Sequence, residues 1–238
     1  MTKVGIAGCS YMAAHQDLER DDCLANSHFT ELLAQEFKWD YYTLARGGAS
    51  NFCISHQVDQ LIEDKPDLIL LGFTSVDRDD IPINLDRKPT IWDFDYKQYP
   101  DLSALNERFS SEPSIFSSSI TTILDPPSPY RESYSIYFND LYSWYMKLRK
   151  DIDTITSTVL KLELSNIPYI FYCPFDTNEW VETRKGYIPF KDGANPFSYV
   201  IPEGSYRYHT TAEMQVTIKE HWYSYIEKIF PKKTPKLI

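Results

Sequence analysis

The sequence predicts an α/β fold: a three-layer sandwich around a mainly parallel sheet of four or five strands, with inserted loops. Three observations carry this expectation. Short apolar runs alternate with helix-length amphipathic stretches from Val4 to Phe73. The same rhythm returns between Leu141 and Cys173. Apolar strands separated by helices of this length imply parallel pairing, with helices on both faces of the sheet.

Val4 to Ala7 is a short apolar run that ends at Gly8, as a buried strand does. Ser27 is placed to cap a helix that carries Phe29, Leu32, Leu33 and Phe37 on one side. Tyr41 to Ala45 reads as a second strand, closed by Gly47 and Gly48. A helix with Ile54, Val58, Leu61 and Ile62 follows and ends near Pro66. Leu68 to Phe73 is the most strand-like segment of the chain. Residues 76–135 then break the rhythm with Asp, Pro, Ser and scattered aromatics, and read as an insertion or lid within one domain spanning 1–238.

Leu141, Tyr145, Leu148, Ile152, Ile155, Val159 and Leu162 recur at steps of three and four, which predicts a helix with that face inward. Pro168 marks the return to a strand, Tyr169 to Cys173, and a polar stretch runs from Phe175 to Tyr208. The last helix opens with the capping box Thr210-x-x-Glu213 and turns Val216, Ile218, Trp222, Ile226 and Ile229 inward. No internal repeat is visible.

Bulk composition narrows the function classes. Hydrophobic residues make up 42% and aromatics 15%, enough for a real core. The formal net charge is -10, and the only basic cluster is the tail Lys232, Lys233 and Lys236. Nucleic acid and anionic membrane surfaces are therefore poor partners, since both require a basic track. A small acidic substrate stays open, because a pocket can differ from the net charge. No apolar run approaches the ~20 residues that span a bilayer, and no signal peptide is recognised at the start. The four cysteines, Cys9, Cys23, Cys53 and Cys173, lack C-x-x-C spacing and read as free thiols of a reducing, cytoplasmic setting.

In an open parallel sheet, function gathers at the C-terminal ends of the strands. Three such ends are small and polar: Gly8-Cys9-Ser10, Gly47-Gly48-Ala49-Ser50-Asn51 and Gly72-Phe73-Thr74-Ser75. A serine on a tight turn after a glycine can present its hydroxyl above the sheet among backbone N–H groups, though on spacing alone Ser10 better suits a helix cap. His209 stands just before the capping Thr210, where the positive end of the peptide dipoles disfavours imidazolium and keeps a base neutral. It also reads as a surface loop histidine. His15, His28, His56 and His221 show no zinc spacing. Cys9 is a second possible nucleophile, but its side chain should point away from that of Ser10, into the sheet.

Glycine, a variable residue and serine after the first strand, then a glycine turn and a near-terminal histidine, resemble the SGNH (GDSL-type) hydrolase superfamily over most of the chain. The resemblance implies a flavodoxin-like fold, no cofactor or metal, and hydrolysis of an ester, often an O-acyl group on a sugar or small metabolite. Ser10 then takes the nucleophile's place, His209 the base's and Gly48 that of the oxyanion-hole glycine. Two positions depart from the family pattern. Thr74 stands in place of the oxyanion-hole asparagine, and Tyr206 in place of the aspartate that orients the histidine. Asn51 is a substitute amide; Glu203 and Asp176 are substitute acids. The other reading is a noncatalytic SGNH-like module that binds a glycan or serves an assembly. Trp92, Tyr96, Trp180 and Tyr187 are either a platform for sugar or acyl groups or a small satellite core.

Overall fold

In a computed structural model, the structure describes residues 1–9, 11–13, 28–46, 49–76, 78–82, 115–119, 140–189 and 212–230. The strands are β1 (Lys3–Gly8), β2 (Asp40–Thr43), β3 (Leu68–Gly72), β4 (Arg78–Pro82), β5 (Ile115–Ser119), β6 (Tyr169–Tyr172) and β7 (Tyr187–Ile188). The helices are α1 (Phe29–Phe37), α2 (Asn51–Asp64), α3 (Trp144–Ser165), α4 (Glu179–Glu182) and α5 (Ala212–Ile229).

Five strands form one parallel sheet in the order β2-β1-β3-β6-β7. That order is the flavodoxin-like one, and its direction of growth reverses between β1 and β3. Strand parity divides the core. Val4, Ile6, Leu68, Leu70, Ile170 and Tyr172 face one side, where Phe29 and Leu33 of α1 and Ile218, Trp222 and Ile226 of α5 cover them. Ala7, Ile69, Leu71 and Phe171 face the other, under Ile54, Val58 and Leu61 of α2 and Ile155, Val159 and Leu162 of α3. The expected three-layer α/β sandwich is what the chain forms. Within the expected insertion, the described strands β4 and β5 pair antiparallel with each other. No helix of the described residues is long and apolar enough to cross a membrane.

Three local expectations are corrected. The N-cap of α1 is His28, not Ser27: the His28 ring accepts from Thr30 N–H, and Glu31 reaches back to His28 N–H. Serine is the better intrinsic cap, but the His28 ring makes a bond across the fold that a hydroxyl is too short to make. Just before α3 and through its first two turns, a different face is buried from the one expected. Leu141 and Tyr145 are 74% and 68% exposed, while Lys147 and Asp151 are buried and paired at 2.5 Å. One turn apart, the two opposite charges compensate each other and so tolerate burial. In α5, Val216 faces out and Gln215 is buried in its stead, held by a hydrogen bond to α1.

Trp180 and Tyr187 pack against the core on the α2–α3 side, and the Arg184 guanidinium stacks on the Trp180 ring at 4.5 Å. The platform reading of Trp92 and Tyr96, the Thr210 capping position and Glu203 fall outside the described residues.

Candidate active site

The site begins with two glycines. Gly8 and Gly72 end β1 and β3 and are directly paired in register, at the point where the sheet order reverses. Met12 lies over both of them. A Cβ on Gly8 would meet Met12 Cγ at 2.4 Å, and one on Gly72 would meet the same atom at 2.7 Å. Gly8 also has φ +153°, a backbone setting that side chains rarely adopt. Beyond Gly8 the chain turns back at once, with Met12 N–H donating to the Cys9 carbonyl at 2.9 Å. Ser10 falls within that turn in sequence and lies outside the described residues, as do Gly48 and His209.

Several side chains fix the turn. Gly8 N–H donates to Gln57 Oε1 at 2.7 Å, and its carbonyl accepts from Arg46 N–H at 3.1 Å. On the other side, His28 Nε2 lies 3.1 Å from the Tyr11 carbonyl, and Nδ1 is 2.7 Å from Thr30 Oγ1. A carbonyl only accepts, so Nε2 carries the hydrogen. Nδ1 is then the acceptor for Thr30, which describes a neutral ring. Gln215 in the first turns of α5 accepts from Phe29 N–H at 2.8 Å. A continuous path of hydrogen bonds thus joins the start of α5, the start of α1 and the turn after β1.

The third strand end is held by an amide pair. Asn51 is the first residue of α2, behind the Ser50 cap. Its Nδ2 donates to the Thr74 carbonyl at 3.0 Å, and its Oδ1 accepts from Thr74 N–H at 2.9 Å. Thr74 and Asn51, read from sequence as alternative contributors to the oxyanion hole, are hydrogen-bonded to each other. One amide hydrogen of Asn51 is committed to Thr74, so its main effect is to fix the Thr74 backbone. The Thr74 hydroxyl is fully buried and has no hydrogen-bond partner among the described residues.

Both flanking thiols are unsuited to nucleophilic work. Cys9 is buried, its side chain turned into the core on the α2–α3 side. Burial pushes the Cys173 thiol far above its ordinary range, with nearby Asp151, Glu182 and Asp176 adding to the shift. Asp176, one substitute acid, is exposed beyond β6. Sequence reading missed His28, Gln57 and Arg46. Arg46 carried a signal, as a charged residue directly before the glycine pair at a strand's C-terminal end. Gln57 and His28 act through contacts between residues 49 and 17 positions apart, which no local pattern encodes.

No family model matches the sequence, and no curated protein matches it. Among solved structures, the chain is similar to the psychrotrophic esterase EstA from Pseudoalteromonas sp., at 11% identity and a TM-score of 0.47, covering 96% of this chain and 98% of that one. It is also similar to an acetyl xylan esterase, Est2A, from the rumen bacterium Butyrivibrio proteoclasticus, at 10% identity and a TM-score of 0.48 over 95% of this chain. A third is a family two carbohydrate esterase from Clostridium thermocellum, at 9% identity and a TM-score of 0.39 over 97% of this chain. The chain spans 64% of the length of each of the latter two. The strand order β2-β1-β3-β6-β7 is the flavodoxin-like one expected from the sequence.

Proposed function

We propose that this chain hydrolyses an ester through Ser10, with His209 as its base. The observation that carries the reading is the Thr74 hydroxyl: buried, unpartnered among the described residues, and borne on a backbone that Asn51 holds at the strand end beside the Gly8–Met12 turn. A buried hydroxyl without a partner is costly, about 1–3 kcal/mol. It makes sense where a partner arrives only with substrate.

In this mechanism His209 takes the proton from Ser10 as its oxygen attacks the ester carbonyl. The alcohol leaves with a proton returned by His209, and water then releases the acyl group by the same route. The backbone N–H groups of Ser10 and Gly48, the Thr74 hydroxyl and the second N–H of Asn51 would hold the negative oxygen that develops. The reach of His209 is supported by the tie between α5 and α1. It stands three residues before Ala212, a span of at most about 10 Å, and α5 is bonded to the same cap that holds the Tyr11 carbonyl. The substrate in this reading is an O-acyl ester of a sugar or small metabolite.

The test is a panel of short-chain aryl and sugar esters, with labelling by an organophosphonate. Ser10→Ala and His209→Ala are each expected to lower kcat at least about 10⁴-fold. Ser10 should carry the phosphonate adduct. Folded protein with no turnover and no adduct would instead make the chain a binding module of the same fold.

A further inference from the structure

The two arginines at the open edge of the sheet are treated differently from the chain's other shielded cations. Among the described residues, Lys147 is paired with Asp151, Lys219 with Glu36 and Glu220, and Arg184 lies on the Trp180 ring. Arg46 and Arg78 are also partly buried, yet among the described residues neither has a carboxylate or an aromatic ring as its partner. In a chain with 34 acidic residues against 24 basic ones, that is a departure from what chance encounter would supply. Each guanidinium has an Nε–H shielded from water with no acceptor among the described residues. The Arg46 side chain donates to a soft acceptor, Cys53 Sγ, at 2.8 Å.

Their placement is specific. Arg46 lies three residues past the end of β2 and donates its backbone N–H to Gly8. Arg78 opens β4, six residues past the end of β3. The two arginines therefore follow the C-terminal ends of β2 and β3, the strands that flank β1, and Ser10 follows β1 in sequence. A guanidinium carries five donors in a rigid fork that a planar carboxylate can accept two at a time.

We propose that Arg46 and Arg78 anchor a carboxylate on the substrate, so that the site selects anionic esters over neutral ones of the same shape. This rests on the ester-hydrolase reading and names the substrate class for it. The carboxylate could sit on the alcohol or on the acyl part, and two pairs of probes separate these. One pair is 4-acetoxybenzoate against its methyl ester; the other is 4-nitrophenyl hydrogen adipate against 4-nitrophenyl hexanoate. In at least one pair, kcat/KM for the anionic member should exceed that for the neutral one by about tenfold or more, as for a charge-assisted hydrogen bond. That ratio should collapse in Arg46→Gln and in Arg78→Gln, and be partly kept in Arg46→Lys.

A calorimetric arm is independent of turnover. The uncleaved analogue 4-acetamidobenzoate should bind the wild-type protein more tightly than its methyl ester does, and lose that advantage in Arg46→Gln. Arginine-dependent binding without turnover of any ester would keep the anion anchor and remove the hydrolase reading. Turnover with no anionic preference in either pair, together with equal binding of acid and ester to folded protein, would overturn the anchor and leave the hydrolase. Unchanged preference in both glutamine variants would overturn it as well.

Discussion

The two edges of the parallel sheet are finished in opposite ways. At the N-terminal edge, Asp40 N–H bonds the Thr2 carbonyl, Asp67 N–H that of Lys3, and Ile69 N–H that of Pro168, while Asp67 Oδ2 caps Lys3 N–H. None of the shielded, unpartnered side-chain atoms of the described residues lies there. At the C-terminal edge the backbone is paired just as well, through Leu44 to Ile6, Arg46 to Gly8 and Phe73 to Tyr172. Its side chains are not. Arg46 Nε, Gln57 Nε2, Thr74 Oγ1 and Arg78 Nε all remain without an acceptor or donor among the described residues. A fold that satisfies one edge and leaves donors open at the other holds them there at a cost to stability, about 1–3 kcal/mol for each fully buried group. Such a cost fits an edge where a ligand completes the bonding.

The sharpest way to break this contrast is to fill the floor of the open edge. Gly8→Ala places a Cβ 2.4 Å from Met12 Cγ and 2.9 Å from the Gly72 carbonyl at φ +153°. The expected loss is about 2–4 kcal/mol, from backbone strain and overpacking together. It is read from the urea midpoint. At the closed edge, Asp67→Ala removes only an exposed cap on Lys3 N–H. It should change stability by no more than about 0.5 kcal/mol.

A smaller effect separates support from chemistry. Asn51→Ala removes both bonds to the Thr74 backbone and leaves a buried N–H and carbonyl unpaired. About 2–3 kcal/mol of stability should be lost. Ester turnover should fall with it, because Thr74 loses its fixed position. Asn51→Asp restores the acceptor for Thr74 N–H but sets a carboxylate against the Thr74 carbonyl, so it should rescue neither property.

The fold was legible because strand parity leaves a plain mark. Val4 and Ile6, or Leu68 and Leu70, need no partner information to be read as buried, and the glycine ends of β1 and β3 followed from the same runs. What failed did so where tertiary bonds override local preference. Ser27 is a better cap by propensity than His28, yet only the ring also reaches the Tyr11 carbonyl. Lys147 and Asp151 read as solvent-facing because burial of either alone is prohibitive; as a pair on adjacent turns they are tolerated. At the site, the residue types at the strand ends were readable. The Asn51–Thr74 amide pair was not, because it joins residues 23 positions apart.

A weaker effect comes from β2, away from the open floor. Tyr41 and Tyr42 are each pushed up to about 12, first by burial and then by Glu31 and Asp64 respectively. With the folded value above the ordinary 10.0, the stability linked to these phenols is full below pH 10 and is lost as pH rises through 12. Tyrosinate absorbance should therefore show delayed ionisation, ending in unfolding. Tyr41→Phe and Tyr42→Phe should each make the remaining alkaline loss shallower.

The measurement that bears most directly on the open edge is Thr74→Val, read for both stability and turnover. The substitution keeps the branched shape and deletes only the unpartnered hydroxyl. If that hydroxyl is held for the negative oxygen of a reacting ester, kcat should fall about 10²–10³-fold. The melting temperature should stay level or rise, since a buried group without a partner is gone. A variant that keeps full turnover, or one that loses stability while kcat is untouched, would contradict the account.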